Sequence, residues 1–244
     1  MYTVGQSVKR IDADAKVLGT ALFGDDERYP GMLYLKGVYA KYAHAIILSI
    51  DTSEAEKMPG VVTVVTSKDI PGEKMIGEIY IDQYILADDK TRYLGDVVAV
   101  VAAETQEQAN EAAKHVKVEY KPLPVLSDPK TAIGNEQVIN PDYPDNICGG
   151  VHAIKGDIDK ALKESDCVIE SHFETGHVEH AYIEPEAVNA IPSPMGPEGT
   201  ITGSLQAPYN LRISVHRCLG LPMSQIIIRP SPLVRGVLVA MRYG

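Results

Sequence analysis

The sequence predicts an α+β protein in two unequal units, and three observations carry that prediction. Short β-branched runs alternate with helix signals through the first half of the chain. A stretch of turn dipeptides then intervenes, in which periodicity fades. A second, shorter set of helix and strand signals follows. A length of 244 residues suits one large domain or two small ones. An apolar content of 45% against 23% charged is ordinary for a globular protein and enough for a core.

Taken in order, residues 33–39 and 45–50 are β-rich runs. Thr52 offers an N-cap to a short helix through Ala55 and Lys57, stopped by Pro59-Gly60. Residues 61–66, Val-Val-Thr-Val-Val-Thr, are dense enough in β-branched side chains for a buried strand, and 97–103 form a second such run. Thr105 with Gln108 three positions on is a capping box, opening a helix that carries Ala109, Ala112 and Ala113. Residues 116–120 form the next strand, closed by Pro122-Leu123-Pro124.

Residues 127–150 read as an ordered linker. Asp128-Pro129, Asn140-Pro141 and Tyr143-Pro144 are loop dipeptides, yet Ile, Val and Tyr are too frequent for free disorder. Beyond it, Asp157 is placed to cap a helix with Ile158, Ala161 and Leu162 on one face, and 167–174 should follow as a strand. Residues 187–191 and 200–205 predict two further strands around the loop 192–199. Pro208 suits the first turn of a helix whose apolar stripe is Leu211, Val215, Cys218 and Leu219. Gly220 can end that helix, and Ile226-Ile227-Ile228 is a candidate buried strand. These few elements make a poor core by themselves, so the second unit is expected to need another polypeptide.

Charge and cysteine usage exclude several functions. With 33 acidic against 23 basic side chains the formal charge is -10, and basic residues cluster only in pairs, which argues against nucleic acid or an anionic membrane surface as partner. No apolar run nears the roughly 20 residues of a membrane span, and the first residues lack a signal-peptide pattern, so the default expectation is a cytoplasmic protein. Cys148, Cys167 and Cys218 are too few and too scattered for a metal site or an iron–sulfur cluster of their own. The densest titratable cluster is His172, His177, Glu179, His180, Glu184 and Glu186. It lacks zinc-site spacing, and Pro185 breaks any helix there; the expectation is buried, hydrogen-bonded polar groups at a domain interface. No dinucleotide fingerprint, phosphate loop or nucleophile elbow occurs.

A resemblance supplies what these patterns do not. Val4-Gly5, Lys9-Arg10, Asp12, Lys16-Val17, Gly19-Thr20-Ala21 and Pro30-Gly31-Met32-Leu33 are similar to the opening of the molybdenum-binding large subunit of the xanthine dehydrogenase and aldehyde oxidase family. Ala43-His44-Ala45, Asp51-Thr52, Pro59-Gly60-Val61, Leu86-Ala87, residues 93–102, Val118-Glu119-Tyr120 and Leu123-Pro124 continue it in the family's order. Gly156-Asp157, Glu179-His180, residues 183–187, Leu205-Gln206-Ala207-Pro208 and Leu219-Gly220-Leu221-Pro222 carry it further. The resemblance implies an α/β hammerhead domain over 17–126 after an N-terminal arm, 1–16. The linker 127–150 then leads to the truncated beginning of a mixed α/β molybdopterin-binding domain, 151–244.

What the resemblance implies about activity is oxidation of aldehydes or hydroxylation of N-heterocycles with water as the oxygen donor. Electrons would pass through iron–sulfur centres to flavin. It implies a molybdenum–molybdopterin cofactor, in the cytosine dinucleotide form, shared with a complementary C-terminal polypeptide. The 2Fe-2S centres and FAD would sit on an iron–sulfur subunit and a FAD subunit. Gln206 matches the glutamine whose amide donates to a molybdenum oxo ligand, although the family threonine before it is Leu205 here. No catalytic residue is expected in this chain, the base glutamate of the family lying far downstream of these motifs.

The family's glycine-rich GGxFGG loop should follow residue 230, but residues 231–244 have unrelated sequence. A codon choice for 237–244 exists that, read in another frame, gives Phe-Gly-Gly-Asn-Glu-Val-Arg. The expectation is therefore a frameshifted, truncated large subunit that works with its complement. Two alternatives stand beside it: a non-catalytic scaffold that binds partners, and a plain small-molecule-binding domain.

Overall fold

A computed structural model describes residues 4–77, 80–176, 178 and 186–231. After a one-turn helix α1 (Ala13–Val17), the chain forms β1 (Tyr34–Tyr39), β2 (Ala45–Asp51), β3 (Val61–Thr66), β4 (Met75–Ile76), β5 (Gln83–Tyr84), β6 (Lys90–Thr91), β7 (Val97–Ala103), α2 (Gln106–Ala113) and β8 (Lys117–Pro122). It continues through α3 (Pro129–Ala132), α4 (Ile158–Glu164), β9 (Val188–Pro192), β10 (Gly199–Gly203), α5 (Pro208–Leu219) and β11 (Ile226–Pro230). This is an α+β fold. By packing, Met1–Val125 and Tyr182–Gly244 form one compact unit and Leu126–Ala181 another.

In the larger unit, β7 is the centre. It pairs antiparallel with β1 on one side and β3 on the other. Its small and β-branched residues let both faces be covered. Ala99 and Val101 pack with Ala55, Val64, Ala112 and Val116 on one face, and Val98 packs with Ala40 and Ala87 on the other. A second sheet, β6-β2-β8, carries Ile47, Ile50 and Val118 against the Val98 face. Helix α2 is fixed by the capping box the sequence shows: Gln108 N donates to Thr105 Oγ1 at 3.2 Å and Thr105 N to Gln108 Oε1 at 3.0 Å. Its Ala109 and Ala112, one turn apart, are the buried pair.

Two details differ from the sequence reading here. β3 is an edge strand, not a buried one: only Val64 is buried, and Val62 stands exposed. Its β-branched density reports strand propensity, while Val62 and Thr63 stand in solvent. The short helix after β2 forms as a 3₁₀ turn, Ala55–Lys57. Thr52 serves it through its carbonyl and by donating Oγ1–H to Glu56 Oε1 at 2.7 Å, rather than as its N-cap.

The smaller unit holds α3, capped by Asp128 accepting from Lys130 N at 3.0 Å, and a loop knitted by Asn146. The Asn146 amide donates to Ala132 O at 2.9 Å and Gln137 O at 3.1 Å and accepts from Ile139 N at 3.0 Å. Asp157 caps α4 as the sequence predicts, accepting from Lys160 N at 2.9 Å. The strand predicted over 167–174 is absent: that segment carries no regular structure and pairs with no strand among the described residues. Strand propensity alone does not make a strand; the backbone groups need a neighbour, and none of the described elements supplies one.

Residues 186–231 build a third sheet, β9-β10-β11. β9 and β10 are an antiparallel hairpin, while β10, α5 and β11 make a βαβ unit with β10 and β11 parallel. Pro208 opens α5, and Gly220, at φ 66°, ends it in the left-handed conformation, as the sequence predicts. Of the three isoleucines in β11, Ile226 alone is buried and Ile227 is exposed, because β11 is the edge of this sheet.

Candidate functional site

Of the five buried side-chain atoms that lack a hydrogen-bond partner among the described residues, two, on Gln206 and Ser231, follow the carboxyl ends of β10 and β11. In a parallel βαβ arrangement that edge is the usual place for a ligand, because the strands end there and the connecting helix begins. β10 ends at Gly203, Ser204 and Leu205 are buried beyond it, and Gln206 stands at the turn into α5. Gln206 Oε1 is buried and has no hydrogen-bond partner among the described residues. A half-turn of the terminal amide exchanges Oε1 for Nε2, so the side chain can offer either an acceptor or a donor from this place.

Ser231 directly follows β11 and, by the β10–β11 register, stands opposite Ser204. Its N–H donates to Gly203 O at 2.8 Å, which extends the β10–β11 pairing by one step. Its Oγ is buried and likewise without a partner among the described residues. Each unpartnered buried polar atom costs free energy, and these two follow neighbouring parallel strands. An open cavity of about 360 Å³ runs between α5 and β11, lined by Pro208, Tyr209, Arg212, Ile226, Ile227, Ile228 and Pro230, with neither Gln206 nor Ser231 in its lining.

The sheet end is held from behind by the N-terminal stretch, a contact the sequence reading missed. Glu27 Oε1 accepts from Thr202 Oγ1 at 3.1 Å, and its Oε2 accepts from Asn189 Nδ2 at 3.2 Å and Tyr29 Oη at 2.8 Å. Asn189 Nδ2 also donates to Gly24 O at 2.8 Å. The Glu27 carboxylate beside the Tyr29 hydroxyl pushes that phenol's pKa up. A Cβ at Gly24 would lie 2.6 Å from Ala187 O, so only glycine allows this approach. Gly203, at φ 139°, faces the same carbonyl at 2.1 Å from its own would-be Cβ. Gly24-Asp25-Asp26 reads as a turn in sequence, but nothing local tells which distant strand it will meet.

The titratable cluster divides differently from expectation. His172 and Glu186 are exposed, not buried, while His177, Glu179, His180 and Glu184 lie outside the described residues. The place expected for the glycine-rich loop, from residue 232 on, also lies outside them. Among the described residues no group of His, Cys, Asp or Glu could hold a metal ion. Cys148 and Cys167 are exposed and Cys218 is half-buried; all three are free thiols, and burial pushes the Cys218 thiol's pKa up. No helix among the described residues is long and apolar enough to cross a membrane.

Comparison with known families decides what this architecture is. The family model described as aldehyde oxidase and xanthine dehydrogenase, a/b hammerhead domain, matches residues 18–124. The one described as molybdopterin cofactor-binding domain matches residues 139–233, which include both β10 and β11 with Gln206 and Ser231. The chain belongs to the xanthine dehydrogenase and aldehyde oxidase family. It is 38% identical over 225 residues to a probable xanthine dehydrogenase subunit from Bacillus subtilis strain 168, covering 92% of this chain and 30% of that relative. It is 35% identical over 226 residues to the nicotinate dehydrogenase large molybdopterin subunit of Eubacterium barkeri, covering 92% of this chain and 52% of that one. Among solved structures, the aldehyde oxidoreductase of Desulfovibrio gigas matches with a TM-score of 0.79 and 30% identity, over 92% of this chain and 26% of that one. The chain thus spans about a third to a half of the curated relatives named here.

Proposed function

We propose that this chain is the N-terminal portion of a molybdenum hydroxylase large subunit and contributes one wall of a molybdenum–molybdopterin site. The reading extends to a complex that oxidises aldehydes or hydroxylates N-heterocycles. In it a complementary molybdopterin-binding polypeptide, an iron–sulfur subunit with 2Fe-2S centres and a FAD subunit complete the machinery in the cytoplasm. The cofactor, in its cytosine dinucleotide form, supplies the oxidative chemistry, with water as oxygen donor.

The observation that carries the proposal is Gln206 Oε1, buried and without a partner among the described residues, just beyond the carboxyl end of β10 and inside the stretch matched by the molybdopterin domain. The donor chemistry fits the group. A neutral amide can orient an oxygen ligand without adding charge, and its position between a strand end and a helix start keeps it from swinging away. The Glu27–Thr202–Asn189 contacts hold β9 and β10 behind it, so this chain's own part is to fix the amide in place. The domain boundaries that go with this reading are an arm over 1–16, a hammerhead over 17–126, a linker over 127–150 and the molybdopterin domain from 151.

The test is Gln206→Ala in the complex purified through a tag on this chain, with molybdenum content and turnover measured together. Loss of one preorganised donor should slow turnover by ~10²-fold while molybdenum is retained. Full turnover at unchanged occupancy would remove Gln206 from the cofactor and leave the chain a partner-binding scaffold.

A further inference from the structure

Helix α5 begins just after Gln206 and ends against a loop of the hammerhead region. The last carbonyls of a helix have no partner within it. Here two of them accept from a distant part of the chain: Gly72 N donates to Cys218 O at 2.8 Å and Glu73 N to Arg217 O at 3.0 Å. These bonds join residues matched by the hammerhead model to residues matched by the molybdopterin-domain model. A Cβ at Gly72 would lie 2.1 Å from Arg217 O and 2.8 Å from Cys218 O, both backbone atoms that cannot swing aside. Gly72 is not among the glycines at positive φ, so glycine is needed here for close approach and not for conformation.

The loop is braced on both sides. Before it, Asp69 Oδ2 accepts from Thr66 N at 2.7 Å and from Thr66 Oγ1 at 3.0 Å, which fixes the 3₁₀ turn Ser67–Asp69. After it, Lys74 O accepts from Ile85 N at 3.0 Å, leading into the β4–β5 pair. The Asp88 carboxylate clasps the two sides together, accepting from Ser67 Oγ at 2.5 Å and from Lys74 Nζ at 2.9 Å. The hammerhead thus presents the Gly72 and Glu73 amides from a fixed frame.

We infer that the Gly72–Glu73 loop is a latch that sets where α5 lies, and that Gly72 is a positioning residue for Gln206. The inference rests on the proposed function. The transmission is short. α5 spans Pro208–Leu219, its first turn closes on Ala207 O, which accepts from Leu211 N at 3.0 Å, and Gln206 is the next residue back. The Glu27 contacts hold the strand side of Gln206, and the latch holds the helix side. Arg212 and His216 do not replace it: they donate to Met223 O and Leu221 O, in the connection that follows the helix and travels with it. A misplacement of about 1 Å at a reacting group can cost ~10²-fold in rate, so a latch at the far end of α5 acts on turnover without touching the cofactor.

The test uses the full chain and the complex purified through a tag on it. In the free chain, amide exchange at Gly72 and Glu73 should be slowed by ~100-fold or more against unprotected rates, although neither lies in a helix or strand. Gly72→Ala should release Glu73 and the last turn of α5 while β7 stays protected. Asp88→Ala, which needs no extra room, should do the same to a smaller degree. Gly196→Ala, where a Cβ meets open space, should change nothing. In the complex, Gly72→Ala should lower kcat by ~10-fold with KM and molybdenum content unchanged. In the Gln206→Ala background it should lower kcat no further, because both changes act through one amide. Fast exchange at Gly72 and Glu73 in the parent chain would overturn the inference. So would loss of β7 protection in Gly72→Ala, or an equal loss of kcat with and without Gln206. Full turnover of Gln206→Ala, with Glu73 protected in the parent and released by Gly72→Ala, would instead remove the proposed function and leave the latch standing.

Discussion

β7 and the 167–174 segment both carry strand-like sequence, but only β7 forms a strand. β7 has a paired neighbour on each side, with Val98, Ala99, Val101 and Ala103 fully buried. The 167–174 segment has no neighbour among the described residues and holds Ile169 and Phe173 in solvent. The difference is not one of propensity. The partners of β7 lie within the same hammerhead region, so the region closes on itself. No described element pairs with the 167–174 segment, and its Val168, Ile169 and Phe173 stay exposed. A strand is a relation between segments, and only one of these two has its relation satisfied among the described residues.

Core truncation should show this contrast most strongly. Val101→Ala removes two methyl groups from a fully buried site and should cost about 2–3 kcal/mol, read as a lowered urea midpoint of the free chain. Ile169→Ala, a larger truncation, should change that midpoint by no more than ~0.5 kcal/mol, because its side chain leaves water for nothing in the free chain. Equal losses at both positions would erase the distinction.

A smaller effect separates the hammerhead's polar contacts from its apolar ones. Ser67 Oγ donates to Asp88 Oδ1 at 2.5 Å and Lys74 Nζ donates to Asp88 Oδ2 at 2.9 Å, and these hold the Asp88 carboxyl below the usual carboxylate range. A depressed carboxylate contributes stability above its unfolded pKa, near 3.9, and loses it as pH falls through its folded value. The stability difference between the parent chain and Asp88→Asn should therefore be under about 1 kcal/mol at neutral pH, since the pair is partly exposed, and shrink below about pH 4. Asp96 works in the opposite sense. Burial raises its pKa, so its unfavourable ionisation is relieved as pH falls. A difference that grew on acidification would contradict the assignment to Asp88.

The local features were readable because short-range chemistry sets them. The Thr105–Gln108 box, the Asp157 cap, Pro208 at the start of α5 and Gly220 at its end each rest on groups a few residues apart. The central burial of β7 was readable from its unbroken run of small and branched residues. The edge position of β3 was not, because Val61 to Thr66 carries the same signal whether one neighbour or two is present. The site divides in the same way. Gln206 was found through resemblance, and its strand-end placement was legible from Thr200 to Pro208. The Gly24–Glu27 contact with Asn189 and Thr202 joins residues more than 160 apart, and no spacing rule reaches that far. Ser231 went unnoticed because a serine beside a proline reads as a loop residue; only its burial without a partner among the described residues singles it out.

The central claim is that this chain forms part of a molybdenum site, and metal analysis tests it most directly. The chain would be tagged, recovered with whatever it binds in its native cells, and its molybdenum measured against the amount of chain. The account predicts molybdenum in near-equal amount to the chain, lost together with turnover when the cofactor is released by denaturation. Recovery of the chain with stoichiometric partners and no molybdenum would contradict it.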